Sequence, residues 1–185
     1  MKRITLAATA ALTASPALAH HPLAGAPMET AAHGVLSGIG HPILGFDHLF
    51  FVAAMGIAAL FTAARLTAPL AYVGAMALGC LAAYAGLALP AVEIMIVLSL
   101  LAIGGVVLSG RALSLVPALA LFAGFGLFHG AAFAGSLAGQ EGGVGGPVLL
   151  GYLAGLAVTQ YLVALAAQLV ARRLLGATEA SAVNA

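Results

Sequence analysis

Three side chains able to bind a cation or pass a proton, His41, Asp47 and His48, crowd the start of the segment HPILGFDHLFFVAAMG. The residues beyond His48 read as apolar helix. Ionisable groups are costly there, so within a membrane segment they usually mark ion pathways or proton relays. Imidazole with carboxylate is a borderline ligand set, better suited to nickel, cobalt or zinc than to magnesium or calcium. Two further candidates stand apart in sequence: His129, in GFGLFHGAAFAGSL, and Glu93, just after Pro90. The ordinary reading of His129 is a hydrogen bond to a carbonyl across helices, and that of Glu93 is a carboxylate at the positive end of a helix.

The scaffold that must position these groups is extreme in composition. Of 185 residues, 63% are hydrophobic and 6% charged, and the mean hydropathy is +1.16. A soluble domain carries roughly 25% charged residues, so this chain could not cover its surface with polar groups. An all-α integral membrane protein is predicted. The net charge is +1 and there is no basic run, which argues against nucleic acid as a partner. The lone cysteine, Cys80, has no intrachain partner and reads as a small core residue.

Taken in order, Met1 to Ala19 reads as a cleaved secretory signal, with Lys2 and Arg3 ahead of a short apolar core and Ala17-Leu18-Ala19 as the cleavage pattern. Cleavage there would start the mature chain at His20-His21-Pro22. A free amine beside an imidazole is a ready chelate, which makes His20 and His21 accessory metal ligands, with Glu93 a third. Residues 20–40, with Glu29 and His33, read as a periplasmic lead too short and too mixed to span a membrane. Residues 41–173 read as the transmembrane domain and 174–185 as a disordered cytoplasmic tail.

Within that domain the apolar runs predict a compact bundle of about five spans, each near the 20 residues needed to cross the hydrocarbon. They fall at Ile43–Ala64, Ala68–Leu89, Ala91–Ser109, Ala112–Leu137 and Pro147–Ala171. With the mature N-terminus periplasmic, Arg65, Arg111, Arg172 and Arg173 all fall on the cytoplasmic side of a bacterial inner membrane. The histidines and acids near the spans then share the outer end or outer half. That is the arrangement of a capture site for a cation arriving from outside.

Local signals refine the candidates. Pro42 fits the first turn of a helix, which puts His41 at its cap. In an unbroken helix His41 and His48 would be roughly 10.5 Å apart along the axis, so joint ligation needs a bent start. Gly45 removes bulk near His48, and Asp47 can bind an ion or orient an imidazole. Gly126 and Gly130 form a small-residue stripe that admits a close neighbour beside His129. Gln160, in the fifth span, reads as interhelical glue, with a pore-lining polar group as the alternative.

On these residues the chain resembles the HupE/UreJ family of small membrane proteins associated with nickel supply. The pattern HP-x-x-G-x-DH stands here as His41-Pro42, Gly45 and Asp47-His48. LPAVEIMIVLSLL around Glu93 and Phe128-His129-Gly130 match in the same order. Many members place a further histidine where this chain has Phe133, and FGLFHGAAFA is closer to a second branch of the family. The resemblance implies a secondary permease for nickel or cobalt, not driven by ATP, with hydrogenase or urease maturation proteins as partners. His41, Asp47, His48 and His129 are the implied metal-binding residues. Two other classes compete: a non-transporting metal-binding accessory of those enzymes, and an intramembrane zinc hydrolase.

Overall fold

Gly45 interrupts what the sequence reads as one first span. The computed structural model describes residues 27–138 and 143–183, and in it two helices meet at this glycine, α1 (Ala31–Leu44) and α2 (Phe46–Leu60), bent by 79°. Pro42 lies inside α1, one turn before the break, where it cannot donate to the carbonyl one turn back. Gly45 leaves the helical region at φ −83°, ψ 94°. A Cβ there would meet the His48 ring, the His41 carbonyl and the Asp47 carboxylate. Glycine is the residue this crowded corner accepts.

Two readings of the sequence are therefore corrected. His41 does not cap a helix that starts at Pro42; it stands in the last turn of a helix that starts ten residues earlier. Thr30 caps that helix, its hydroxyl accepting from the His33 amide at 3.2 Å. The stretch up to Gly40, read as a lead too short and too mixed to span a membrane, is helical from Ala31 onward because its glycines lie against another helix. Close packing outweighs the low helix propensity of glycine here. The bent pair together is apolar and long enough to count as a broken span.

The remaining elements are α3 (Ala68–Tyr84), α4 (Val92–Ser109), α5 (Leu115–Ala138) and α6 (Gly146–Val183). The chain is all-α, as predicted. Among the described residues α4, α5 and α6 are candidate membrane spans by length and apolarity, with the bent pair a fourth where it counts as one broken span. At 17 residues α3 is shorter than the predicted Ala68–Leu89. It stops before Gly86, whose φ of +91° suits only a residue without a Cβ. α6 is longer than predicted, and the tail expected to be disordered after Arg173 continues as helix through Val183, in a stretch rich in leucine and alanine.

Among the described residues three helix pairs are in backbone contact, one of them α2 with α6, where a Cβ at Gly56 would overlap the Ala164 carbonyl. A Cβ at Gly130 would overlap the Met76 carbonyl, and one at Gly79 the Leu127 carbonyl, so α3 and α5 touch along the predicted stripe. Gly38 of α1 meets the Tyr152 carbonyl and Gly155 of α6 in the same way. Helices in lipid gain little from hydrophobic burial, so this close van der Waals approach is what holds them. The outer surface is apolar, with Leu108, Val116, Leu150 and Leu101 among its most exposed side chains. This is the pattern of a protein whose solvent is hydrocarbon.

Candidate metal site

The bend at Gly45 decides where the first cluster points. It turns the first turn of α2 inward, burying His48, while the Asp47 side chain stays 48% exposed. Asp47 Oδ1 accepts from the His48 amide at 2.9 Å, satisfying a donor left over at the helix start. His129 approaches from the middle of α5 and is fully buried. The two imidazoles meet, Nδ1 to Nδ1, at 2.8 Å, from positions 81 residues apart. The expected approach of His48 and His129 is what the fold produces.

At that separation the rings share a hydrogen bond. An ion held by both nitrogens at about 2.0–2.1 Å needs them roughly 3–3.5 Å apart, so the pair must open slightly to admit one. The proton positions are set by the neighbours. Ser99 of α4 donates its hydroxyl to the Ile96 carbonyl at 2.6 Å, and its oxygen then accepts from His129 Nε2 at 2.9 Å. With both rings neutral, His129 Nδ1 carries a lone pair and His48 Nδ1 donates to it. His48 Nε2 is left with its lone pair, 3.9 Å from Asp47 Oδ1. Two electron-rich atoms thus face each other at the mouth. An ion between them could take both at about 2.0–2.2 Å.

His41 stands beside this pair. Its ring is 6.0 Å from that of His48, centroid to centroid, and 5.0 Å from Phe133. Its Nδ1 lies 3.1 Å from the Tyr152 hydroxyl, which donates to the Phe133 carbonyl at 3.0 Å. Phe133 also lies 4.3 Å from His48, so its ring packs against both histidines of the first cluster. Phe51 covers His129 at 4.5 Å. Among the described residues, no three His, Cys, Asp or Glu side chains gather closely enough to hold an ion as they stand.

The accessory candidates fall elsewhere. Glu93 is exposed in the first turn of α4, where a carboxylate suits the helix dipole, and it takes no part in the hydrogen bonds around the histidines. His20 and His21, like the predicted signal segment, lie outside the described residues. Gln160 makes the interhelical bond read from the sequence, accepting from the Tyr72 hydroxyl at 2.5 Å. Ser99, Tyr152 and Tyr72, which complete the surroundings, carried no signal beyond being lone hydroxyls in apolar helices.

Residues 7–185 match the family described as HupE / UreJ protein. The chain belongs to the HupE/UreJ family. It is 33% identical over 133 residues to Protein HupE of Rhizobium leguminosarum bv. viciae, a match covering 70% of this chain and 66% of that relative's length. No solved structure matches. The HupE/UreJ proteins are membrane proteins associated with nickel and cobalt transport. A transporter family weighs against the zinc hydrolase. Metal ions are what such proteins handle, and the histidine pair lies within two of the three stretches that carried the resemblance.

Proposed function

We propose that this protein is a secondary transporter carrying nickel or cobalt inward across a bacterial inner membrane, with Asp47, His48 and His129 as the ion's ligands and His41 beside them. The observation that carries this reading is the gap between His48 Nε2 and Asp47 Oδ1, 3.9 Å wide, half open to the outside and backed by a buried second imidazole. The ion is captured at the gap, where the carboxylate offsets part of its lost hydration. It then passes to the Nδ1 pair when the rings part and the His48 proton moves from Nδ1 to the vacated Nε2, which gives both Nδ1 atoms a lone pair. Imidazole nitrogens favour nickel, cobalt and zinc over the far more abundant magnesium and calcium.

Phe133 bears on how firmly the ion is held. It occupies the place from which a third imidazole could reach, so the pair binds without completing a cage. An ion must bind well enough to enter and weakly enough to leave, and a site short of ligands meets both demands. This favours transport over a metal-holding accessory. A membrane potential supplies about 2.3 kcal/mol per charge per 100 mV, enough to draw a divalent ion into a negative interior without ATP. Hydrogenase or urease maturation proteins would receive it.

The arginines supply the orientation. Gln168 of α6 donates to the Arg65 carbonyl at 2.8 Å, which supports Arg65 sharing an end of the bundle with Arg172 and Arg173. At the opposite end, the Tyr84 hydroxyl donates to the Val144 carbonyl at 2.8 Å. Positive charge on one end supports a cytoplasmic location for it and a periplasmic one for the histidine mouth. The full chain in liposomes, with a metal-sensitive dye inside and an inside-negative potential, tests the proposal. Nickel or cobalt entry that depends on His48 is expected; no entry of either ion overturns it.

A further inference from the structure

An ion leaving the histidine pair has to cross the inner half of the bundle, and one buried polar pair stands next in line. α6 serves as a ruler. Tyr152 marks the level of His41 and Phe133; Gln160 comes eight residues later, about 12 Å further along the helix. Gln168 comes eight residues later again and reaches the Arg65 loop. Each of these buried polar side chains bonds to a different partner element, so together they trace a line from the mouth to the opposite end.

The middle step is made of two oxygens. Tyr72 and Gln160 are 0% and 1% exposed. The Tyr72 hydroxyl donates to Gln160 Oε1 at 2.5 Å, and Gln160 Nε2 donates to the Leu156 carbonyl. No other hydrogen bond among the described residues uses either oxygen, so each keeps lone pairs. The Tyr72 ring sits edge-on to His129 at 5.7 Å, and against Phe51 at 5.3 Å, so this pair adjoins the histidine site directly. Bonds between helices in lipid add only about 0.6 kcal/mol on average, a small return for burying a carboxamide in the middle of a span.

We propose that Tyr72 and Gln160 form a second, oxygen-donor station for a divalent transition-metal ion on the cytoplasmic side of the histidine pair. This rests on the transport reading above. Oxygen donors hold such ions more loosely than imidazole nitrogens. A step from nitrogen to oxygen ligands therefore lets the ion leave the tighter site without facing bare hydrocarbon, and the weaker hold favours onward release. Rotation of the Tyr72 hydroxyl away from Gln160 would free both oxygens toward the ion. With the bond closed, the same pair plugs the path.

The test compares wild type, Tyr72→Phe, Gln160→Leu and Gln160→Glu as full chains. Cobalt binding in detergent is read by equilibrium dialysis, and nickel and cobalt entry into liposomes by an internal dye. Tyr72→Phe and Gln160→Leu should still bind cobalt at the histidine pair, whose ligands are untouched, yet lose at least tenfold in entry rate. Gln160→Glu restores an oxygen donor with charge. It should recover entry and make it at least fivefold more sensitive to competition by manganese, which prefers oxygen ligands. A structural tie alone would not move that ion preference. Entry unchanged in both Tyr72→Phe and Gln160→Leu overturns the station, as does a loss that only tracks lost folded protein and lost cobalt binding, with no change in ion preference. If Gln160→Leu does not fold, Tyr72→Phe, which removes a single hydroxyl, decides by the same criteria. Wild-type protein that admits neither ion overturns the transport reading itself, and the station with it.

Discussion

Replacing Asp47 by asparagine separates charge from shape at the mouth of the site. The amide oxygen can still accept from the His48 backbone, as Oδ1 does at 2.9 Å, so the His48 amide keeps its partner. The substitution removes one negative charge beside the gap that ends at His48 Nε2, 3.9 Å away. A doubly charged ion in that gap would lie about 3 Å from the carboxylate charge, an attraction of roughly 2.8 kcal/mol with the dielectric of water and several times that in a buried setting. Because the Asp47 side chain is 48% exposed, the lower figure governs. A loss of about 2–3 kcal/mol corresponds to roughly 30- to 150-fold weaker capture. The concentration of nickel or cobalt giving half-maximal entry into liposomes should rise by that factor, with folded yield unchanged. The gap to wild type should narrow as salt is added, since the group is exposed. A change of less than threefold, with no salt dependence, would show that the carboxylate does not face the ion and would refute the placement at the gap.

Other consequences of the geometry can be checked alongside. Phe133→His puts a third imidazole beside His41 and His48; metal binding by equilibrium dialysis should tighten at least tenfold, about 1.4 kcal/mol, while entry at saturating metal slows because release becomes harder. Gly130→Ala drives a methyl group into the Met76 carbonyl, and overpacking of this kind costs about 1–3 kcal/mol. Its thermal midpoint in detergent should fall by several degrees, whereas Gly124→Ala, with nothing near its added Cβ, should leave the midpoint unchanged or slightly raised. Reporter fusions in the 138–146 loop and after Arg173 should report opposite sides of the membrane; the same side for both would refute the orientation drawn from the arginines.

The sequence by itself determined the class of this protein. Apolar runs of spanning length with few charges leave the backbone one stable solution in lipid, the helix, because every amide must be satisfied within its own segment. It also singled out His48, Asp47 and His129, since ionisable groups are rare and costly in such surroundings. Gly126 and Gly130 announced a close neighbour for the same local reason: a missing side chain leaves room for one. Only the tertiary structure decided the rest. Pro42 is compatible with the first turn of a helix and also with the last turn before a break. The choice fell to the break because the glycines of α1 pack on α6 and Gly45 admits the His48 ring. That 79° bend turned His41, in the last turn of α1, and the buried His48 toward a common centre. The partners of the pair were equally hidden. Ser99, Tyr152 and Tyr72 reach their partners across 30, 111 and 88 residues. A lone hydroxyl in an apolar helix has no periodicity to betray its direction, so its partner is set by which helix faces it in the folded bundle.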